Sequence, residues 1–521
     1  MTRDDALKRV VGRREPWDLA VVGGGATGAG IAVDAAARGY DVVLLEQSDF
    51  GKGTSSRSTK LVHGGVRYLQ QGNVSLVMEA LEERGLLLRN APHLVRDLQF
   101  IVPNYRWWEA PFYGVGLKVY DMLAGRLGLG PSQRLSREEV LARIPTLEPG
   151  GLRGGVAYHD GQFDDSRLLI ALVRTAAEQG GCLLNYARVT RVIKDAAGRA
   201  SGLEFRDEET GEPHAVAARA VVNATGPFCD EVRRLDDPRA APMISPSQGV
   251  HVVLGRDFLP SDSAIMVPHT RDGRVMFAVP WNGAVIVGTT DTPIAAVSLE
   301  PKPLDHEVDF ILETAGAYLG RRPGRGDILS VFTGIRPLVK ARRRSRTASL
   351  SRDHTIHVSR SGLLTITGGK WTTYRRMAED CVDRAAKLAR LDPRPCVTRE
   401  LHVHGYDGGA PKAGPLAAYG SDAAPIEALA QADADLARRL HADLPISAAQ
   451  VAWAARHEMA RTVDDVLARR TRALYLNARA AVAMAPAVAQ LLARELSRDQ
   501  PWQERQIQEF GAIAQGFMVE R

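Results

Sequence analysis

The stretch LAVVGGGATGAGIAVDAAARGYDVVLLE, residues 19–46, decides the fold that we predict for this chain. A short apolar strand leads into the pattern GxGxxG at Gly23–Gly28, a helix of small residues follows, and a second strand ends at Glu46. In such a βαβ unit the glycines let backbone amides approach a pyrophosphate, and the acid accepts hydrogen bonds from a ribose hydroxyl. The stretch therefore predicts a dinucleotide site in which Glu46 disfavours NADP, with a tight turn in a glycine-rich chain as the alternative.

Three later segments favour FAD over NAD as the cofactor. After Glu46, GKGTSSRSTKLVHGGVRYL at 51–69 replaces the regular βα unit and offers hydroxyl groups to phosphates and a ribityl chain. VVNATGPF at 221–228 and LLTITGGKWTTYR at 363–375 each place a small turn after an apolar strand. Amide dipoles at the second of these turns can stabilise negative charge on a reduced flavin. Each segment alone is equally compatible with a structural turn, but their order predicts one non-covalent FAD.

Most of the residues that we assign to this cofactor lie in the quoted segments, and Val189 and Asp291 lie outside them. They are Gly23, Gly25, Ala26, Thr27, Gly28, Glu46, Thr54, Ser55, Ser56, Lys60, Leu61, Val189, Ala224, Gly226, Asp291, Lys370, Trp371 and Thr372.

Composition describes an ordinary folded protein. The 521 residues are too many for one compact core and predict two or three domains. The cysteines are far apart and lack Cys-x-x-Cys spacing, so we expect no disulfide framework and no metal site. A formal net charge of +6 permits attraction to anionic metabolites or lipids but does not select nucleic acid. No apolar run is long enough to span a bilayer, and the N-terminus has no apolar signal region, which predicts a bacterial cytoplasmic protein.

The order of predicted elements indicates a discontinuous α/β architecture. We expect residues 1–90, 151–235 and 331–395 to form a Rossmann-type FAD-binding domain. Alternating apolar stretches such as VHVVL and AVIVGTT predict an antiparallel sheet in a substrate or cap domain, residues 91–150 with 236–330. The Ala/Leu/Arg-rich remainder, residues 396–521, predicts an α-helical C-terminal domain.

These motifs together resemble those of the FAD-dependent glycerol-3-phosphate dehydrogenases of the respiratory type. The resemblance rests on Gly23–Gly28, SSRSTKLVHGGVRYLQ at 55–70, VVNATGP at 221–227, GTTDT at 288–292, TGIRPL at 333–338, SRDHTI at 351–356 and GGKWTTYR at 368–375. It implies an FAD-binding domain of the D-amino-acid oxidase type and oxidation of sn-glycerol 3-phosphate to dihydroxyacetone phosphate. It also implies that electrons pass to a membrane quinone, ubiquinone or menaquinone, from a protein attached to the inner face of the plasma membrane. A homodimer is left open.

A phosphate dianion needs convergent cations, and the specific motifs supply them at Arg67, Arg336, Arg352 and Lys370. The resemblance implies that Arg67 and Arg352 hold the phosphate, while Arg336 and Lys370 lie near the reacting carbon and the flavin. A solvated or salt-bridged surface arginine is the alternative for each of them, since it is the usual case.

Hydride transfer from C2 to flavin N5 requires a base for the hydroxyl proton, and His63 and His251 are the candidates. We favour His63 because it lies in the more specific motif, with a structural histidine as the alternative for either. Arg336 near the C2 oxygen would stabilise the developing alkoxide, and Tyr68 would line the same pocket.

Two segments combine basic residues with aromatic or apolar ones as a membrane-docking surface requires, namely 105–125 and 372–390. ARRRSR at 341–346 would add attraction to anionic lipid. Interdomain contact is the alternative for both segments. Competing functions are a glycerol-3-phosphate oxidase that uses oxygen, an FAD-dependent amino-acid or amine oxidase, and a flavin-carrying scaffold without catalysis.

Overall fold

The computed structural model describes residues 2–65, 73–268, 270–271, 273–340, 354–408 and 414–520. Its strands are β1 (Trp17–Val22), β2 (Val42–Leu45), β3 (Leu61–Val62), β4 (Val95–Asn104), β5 (Gln133–Leu135), β6 (Gly154–Phe163), β7 (Cys182–Leu184), β8 (Ala187–Lys194), β9 (Ala200–Asp207), β10 (Pro213–Asn223), β11 (Ile244–Gly255), β12 (Ala264–Val267), β13 (Met276–Trp281), β14 (Ala284–Gly288), β15 (Thr292–Pro293), β16 (Ser330–Val339), β17 (Thr355–Val358), β18 (Leu364–Thr367), β19 (Arg439–His441) and β20 (Leu444–Ser447).

The α-helices are Arg3–Gly12, Ala26–Ala37, Val74–Asn90, Glu109–Ala124, Arg137–Arg143, Asp165–Glu178, Cys229–Asp236, Asp305–Gly316, Tyr374–Ala389, Ala423–Ala432, Ala434–Ala437, Ala448–His457, Ala473–Leu476, Ala478–Leu496 and Gln500–Gln515. A π-helix covers Asp465–Arg470.

The first sheet is the predicted dinucleotide platform. Its order is β17-β18-β10-β1-β2-β7, and the pairs from β18 to β7 are parallel. Helix Ala26–Ala37 packs on helices Asp165–Glu178 and Tyr374–Ala389. β1 and β2 are apolar and almost wholly buried, as strands covered on both faces must be. The βαβ unit predicted from residues 19–46 is confirmed.

The second sheet is mainly antiparallel and covers the platform. Its order is β15-β11-β14-β13-β12-β4-β6-β3, with β16 on β11 and β5 on β6. Alternate residues of β11 enter different cores: Val252 packs beside helix Asp305–Gly316, whereas Val253 packs against the C-terminal helices. This period-2 burial follows from the pleat, because successive side chains point to opposite faces.

Sheet membership differs from our segment boundaries at three places. β3, β6 and β16 lie in the second sheet, although residues 1–90, 151–235 and 331–395 were assigned to the FAD-binding domain. β6 pairs with β4 from Val95↔Phe163 to Asn104↔Gly154, and β16 pairs with β11 over a similar length. An apolar run identifies a strand but not its distant partner, so the sequence did not reveal these exchanges.

The C-terminal part is helical as predicted and has its own core, which also takes in Trp281, Ile286 and Phe332 of the second sheet. The C-terminal helices therefore pack directly behind the sheet that roofs the platform. Within the described ranges, no helix has both the length and the apolar character needed to cross a membrane.

Candidate active site

A cavity of about 650 Å³ runs from the glycine turn after β1 to the space beneath β11 and β16. Its walls come from both sheets and from the segment 51–63 between them. The volume lies in the usual range for ligand pockets, and the lining changes from glycines and hydroxyls at one end to cationic and imidazole side chains at the other.

The glycine turn has the geometry that a pyrophosphate requires. Gly23 has φ of 106°, and a Cβ on Gly28 would lie 1.8 Å from the carbonyl oxygen of Gly23, so only glycine lets the helix start so close to the strand. Helix Ala26–Ala37 has Gly25 as its N-cap, with no capping side chain on that residue. The helix N-terminus therefore faces the cavity, with Ala26 N donating to Ser55 Oγ at 2.9 Å.

Glu46 lies on the cavity wall at the end of β2. Its Oε2 accepts a hydrogen bond from Gly24 N at 2.6 Å and its Oε1 accepts one from Ser48 N at 3.0 Å. Burial raises the pKa of Glu46, against the effect of these two amide bonds. A carboxylate has about four lone-pair sites, so these contacts leave capacity for ribose hydroxyl groups.

The hydroxyl segment after Glu46 is only partly on the cavity. Thr54 and Ser55 line it, whereas the side chains of Ser56 and Lys60 do not. Ser56 Oγ lies 3.1 Å from the hydroxyl of Tyr475, and Lys60 Nζ donates to Asp165 Oδ2 at 2.6 Å, so both side chains turn to the protein interior. The position of Lys60 follows from its charge, since a buried lysine is stable only beside a carboxylate. The assignment of Ser56 and Lys60 to the cofactor stays a prediction.

Two more predicted cofactor residues lie behind the wall. Gly28 supports the glycine turn, and Asp291 accepts hydrogen bonds from Ser247 and Arg336. Neither is part of the lining, so their contact with the cofactor stays a prediction, and the observed partner of Asp291 is Arg336. The remaining predicted cofactor residues do line the cavity: Gly23, Gly25, Ala26, Thr27, Leu61, Val189, Ala224, Gly226, Lys370, Trp371 and Thr372.

Arg336 lies at the far end, on β16 opposite Ser247 of β11. Its guanidinium donates to Asp291 Oδ1 at 3.2 Å and to the carbonyl oxygen of Thr290 at 2.9 Å. It crosses Gly249 so closely that a Cβ there would lie 2.3 Å from Nη2. The missing side chain at Gly249 therefore makes the room in which the guanidinium reaches the cavity.

His251 lies on β11 two residues further along, with its ring stacked on Phe332 at 4.8 Å between centroids. Its Nε2 lies 2.9 Å from Thr59 Oγ1. Burial, helped by the positive charges of Lys60 and Arg336, holds the pKa of His251 well below its ordinary value of 6.5. The imidazole is therefore neutral at pH 7.

His63 follows β3 and lines the same end of the cavity. Its backbone N donates to Thr372 Oγ1 at 3.1 Å, which ties it to the turn that carries Lys370. The structure thus brings His63, His251, Arg336 and Lys370 to one cavity. The other predicted substrate residues, Arg67, Tyr68 and Arg352, lie outside the described residues.

Sequence reasoning missed several residues of this site. Arg57 is buried on the cavity wall and donates to Glu300 Oε2 at 2.6 Å. Thr59 holds the His251 ring, and Gly249 makes room for Arg336. Arg57 and Thr59 stand inside the quoted segment 51–69, so their position was a usable signal. Gly249 gave no such signal in the sequence, because a single glycine in a strand occurs for many structural reasons.

The residues of the cavity fit an FAD. The helix N-terminus and glycines suit the pyrophosphate, Glu46 suits the adenosine ribose, and the hydroxyl groups of Thr54 and Ser55 suit the chain beyond it. The turn at Gly368–Gly369 leads into the helical turn Trp371–Thr373, which presents backbone amides at the far end.

Comparison with known proteins agrees with this description. A family model described as FAD dependent oxidoreductase matches residues 18–375, and one described as the C-terminal domain of alpha-glycerophosphate oxidase matches residues 413–503. The mitochondrial glycerol-3-phosphate dehydrogenase of Arabidopsis thaliana is 42% identical over 96% of this chain and 86% of its own. The human mitochondrial enzyme is 40% identical over 94% of this chain and 72% of its own. The structure of glycerol-3-phosphate dehydrogenase from Bacillus halodurans, complexed with FAD, matches with a TM-score of 0.77 at 29% identity and covers 99% of both chains.

Proposed function

Because the chain belongs to the FAD-dependent glycerol-3-phosphate dehydrogenases, we propose that it oxidises sn-glycerol 3-phosphate to dihydroxyacetone phosphate. FAD is its cofactor. The observation that carries the proposal is the convergence of His63, His251, Arg336 and Lys370 at the far end of the cofactor cavity. When bound, FAD supplies flavin N5 as the acceptor for the hydride that leaves C2 of the substrate.

In this proposal Arg336 stabilises the C2 oxygen. Its contacts with Asp291 and with the carbonyl oxygen of Thr290 fix the guanidinium before the substrate arrives. As the base takes the hydroxyl proton, negative charge grows on the C2 oxygen, and a preorganised cation lowers the energy of that alkoxide-like state. Because arginine stays protonated, this role needs no proton transfer.

A histidine takes the hydroxyl proton, so that loss of a hydride from C2 and a proton from oxygen leaves the ketone. His63 is our choice as proton acceptor. His251, whose pKa is held well below 6.5 by burial, is a weak base and instead orients the substrate through its neutral ring. Arg67 and Arg352 hold the phosphate, as the family resemblance implies.

A substrate panel tests the reaction. Purified protein loaded with FAD should lose its visible flavin absorbance under anaerobic conditions with sn-glycerol 3-phosphate. Glycerol lacks the phosphate and glycine offers a carboxylate and an amine, so neither should bleach the flavin at the same concentration. Bleaching by glycine but not by sn-glycerol 3-phosphate would instead favour the alternative function, that of an FAD-dependent amino-acid oxidase.

We further propose that electrons leave to a membrane quinone, supported by an apolar surface on helix Glu109–Ala124 and the residues before it. Trp107, Phe112, Val115 and Met122 are 77%, 52%, 67% and 80% exposed. The last three follow helical spacing and form one stripe, as in helices that lie in a lipid interface. Lys118 is also exposed and offers a cation to anionic headgroups.

The second segment expected to dock, 372–390, does not present such a stripe. Its apolar residues Met377, Ala378, Val382 and Ala385 are buried in the core of the first sheet. Arg375 is buried too and pairs with Glu83 at 2.6 Å. The apolar face of this helix therefore packs inside the core of the first sheet. The basic run 341–346 lies outside the described residues.

Flotation with vesicles that contain anionic lipid tests the docking surface. Phe112→Asp should weaken binding about 10-fold or more, since burial of a phenylalanine side chain is worth about 1.5–3 kcal/mol. Val482→Asp, at an exposed apolar position of the C-terminal helices, is the matched control. Equal flotation of both variants and the unchanged protein would remove this surface from the proposal.

The alternative acceptor is oxygen, favoured only by the oxidase name of the family model that matches residues 413–503. Reoxidation of the bleached protein separates the two acceptors. A dehydrogenase regains its absorbance rapidly with a soluble quinone and slowly with air, whereas an oxidase regains it rapidly with air and forms hydrogen peroxide.

A further inference from the structure

Three arginines of the C-terminal helical part, Arg469, Arg470 and Arg472, are almost completely buried. None of them lines the cofactor cavity. They instead reach the outer side of residues 47–60, which we call the cofactor loop because Gly51–Ser55 and Arg57–Thr59 line the cavity on the inner side. Buried charges are costly unless they are paired, so each arginine must have a partner there.

Asp49 is the first partner. Arg470 donates to its two oxygens at 2.6 and 2.8 Å, and Arg469 Nε also donates to it. Although burial opposes its ionisation, the two arginines keep the pKa of Asp49 below the ordinary value. Phe50, the next residue, packs on the glycine turn, where a Cβ on Gly24 would lie 2.7 Å from its ring. The two arginines therefore hold the start of the cofactor loop against the turn that meets the pyrophosphate.

The second contact lies at the other end of the loop. Arg472 Nη2 donates to the carbonyl oxygen of Ser56 at 2.9 Å and to Asp165 Oδ1 at 3.0 Å. The hydroxyl of Tyr475 lies 3.1 Å from Ser56 Oγ. These contacts fix the backbone at Ser56, between two neighbours that line the cavity.

A third contact lies between these two. Lys52 lines the cavity, and its Nζ donates to Asp464 Oδ2 at 2.9 Å. Asp464 also accepts a hydrogen bond from Arg469 Nη2 at 2.8 Å, so one carboxylate of the C-terminal part links the loop to the arginines. The start, the middle and the end of the loop are thus each tied to residues 464–475.

We propose that residues 464–475 of the C-terminal helical part are positioning residues for FAD: they hold the cofactor loop in the conformation that binds it. The inference rests on the FAD cofactor and not on the identity of the substrate, so it stands even if another alcohol or amine is oxidised. Loss of one tie leaves the loop packed at its other contacts but free to move at the cavity, which weakens FAD binding without unfolding the chain.

A double-mutant cycle on Lys52 and Asp464 tests this proposal. FAD affinity is measured by the quenching of flavin fluorescence on rebinding to FAD-free protein. Lys52→Met and Asp464→Asn should each weaken binding about tenfold, the effect of one charge-assisted hydrogen bond. The double variant should lose clearly less than the product of the two single losses, because both changes break the same tie between Lys52 and Asp464. A loss of FAD affinity of about a hundredfold in the double variant, the product of the two single losses, would mean that Lys52 acts on FAD independently of Asp464 and would overturn the proposal. Unchanged FAD affinity in both single variants would also overturn it.

Tyr475→Phe gives a milder test that keeps the fold intact. Loss of its hydroxyl should speed the release of FAD from the holoenzyme about threefold, as expected for one neutral hydrogen bond. Arg456→Ala is the control, because Arg456 pairs with Glu495 on the surface of the same helical part. FAD release at the rate of the unchanged protein in Tyr475→Phe, or equally fast release in Arg456→Ala, would contradict a positioning role.

Discussion

Gly249→Ala should slow flavin reduction by moving Arg336. The added Cβ would lie 2.3 Å from Nη2 and 2.7 Å from Cζ. An ordinary contact is about 3.5–4.0 Å, so the guanidinium must retreat by about 1.2 Å or more. That movement stretches its 2.9 Å bond to the carbonyl oxygen of Thr290 beyond hydrogen-bond length. A hydrogen bond to a charged group is worth about 1.5–3 kcal/mol, which corresponds to about a 10- to 150-fold lower rate if it acts in the transition state.

Anaerobic stopped-flow measurement of flavin bleaching at saturating sn-glycerol 3-phosphate is the assay for this variant. The FAD content is matched beforehand, and Gly511→Ala serves as control because a Cβ at that helical position meets nothing within 4 Å. If the methyl group only crowds the substrate, more substrate is needed but the saturating rate stays normal. A saturating rate within twofold of the unchanged protein would therefore refute the role given to Arg336.

Two further predictions concern the two histidines and a buried ion pair. Because burial holds the pKa of His251 well below 6.5, its ring is neutral at pH 7 and above, and a fall in the bleaching rate as the pH is lowered from 8 to 7 comes from another base. In pH–rate profiles, His63→Asn should abolish this fall in the bleaching rate, whereas His251→Asn should retain it. The reverse pattern would make His251 the proton acceptor and His63 the orienting residue. Asp165→Asn should lower the thermal midpoint far more than Lys60→Met, since it leaves Lys60 and Arg472 buried without their carboxylate, a loss of about 3–5 kcal/mol. Equal thermal midpoints of the Asp165→Asn and Lys60→Met variants would contradict the burial of the Lys60–Asp165 ion pair.

The cofactor end of the site could be predicted because its determinants are local. The glycine turn, Glu46 and the helix that follows lie within one short stretch, and the physical requirements of a pyrophosphate fix their spacing. His63 and Arg336 were found from the family motifs and His251 from a predicted strand of the second sheet, and the structure brings all three to one cavity.

The buried ion pairs that hold the site in place could not be predicted, because the two members of each pair are distant in sequence. Lys60 stands among hydroxyl residues in a cofactor-like segment, and only the tertiary fold shows that Asp165 takes its side chain inward. Burial then lowers the pKa of Lys60 to about 7, against the pull of that carboxylate. Arg469 and Arg470 lie in a basic helical sequence that is typical of a solvated surface, yet their partner Asp49 lies more than 400 residues earlier. Local propensity carries no information on such pairs.

A single-turnover experiment tests the central claim most directly. FAD-loaded protein is mixed anaerobically with a small excess of sn-glycerol 3-phosphate, quenched at intervals and assayed for dihydroxyacetone phosphate. We predict that product forms in step with the loss of flavin absorbance, one molecule for each flavin reduced. A flavin that stays oxidised, or that is reduced without formation of dihydroxyacetone phosphate, would contradict the proposed reaction.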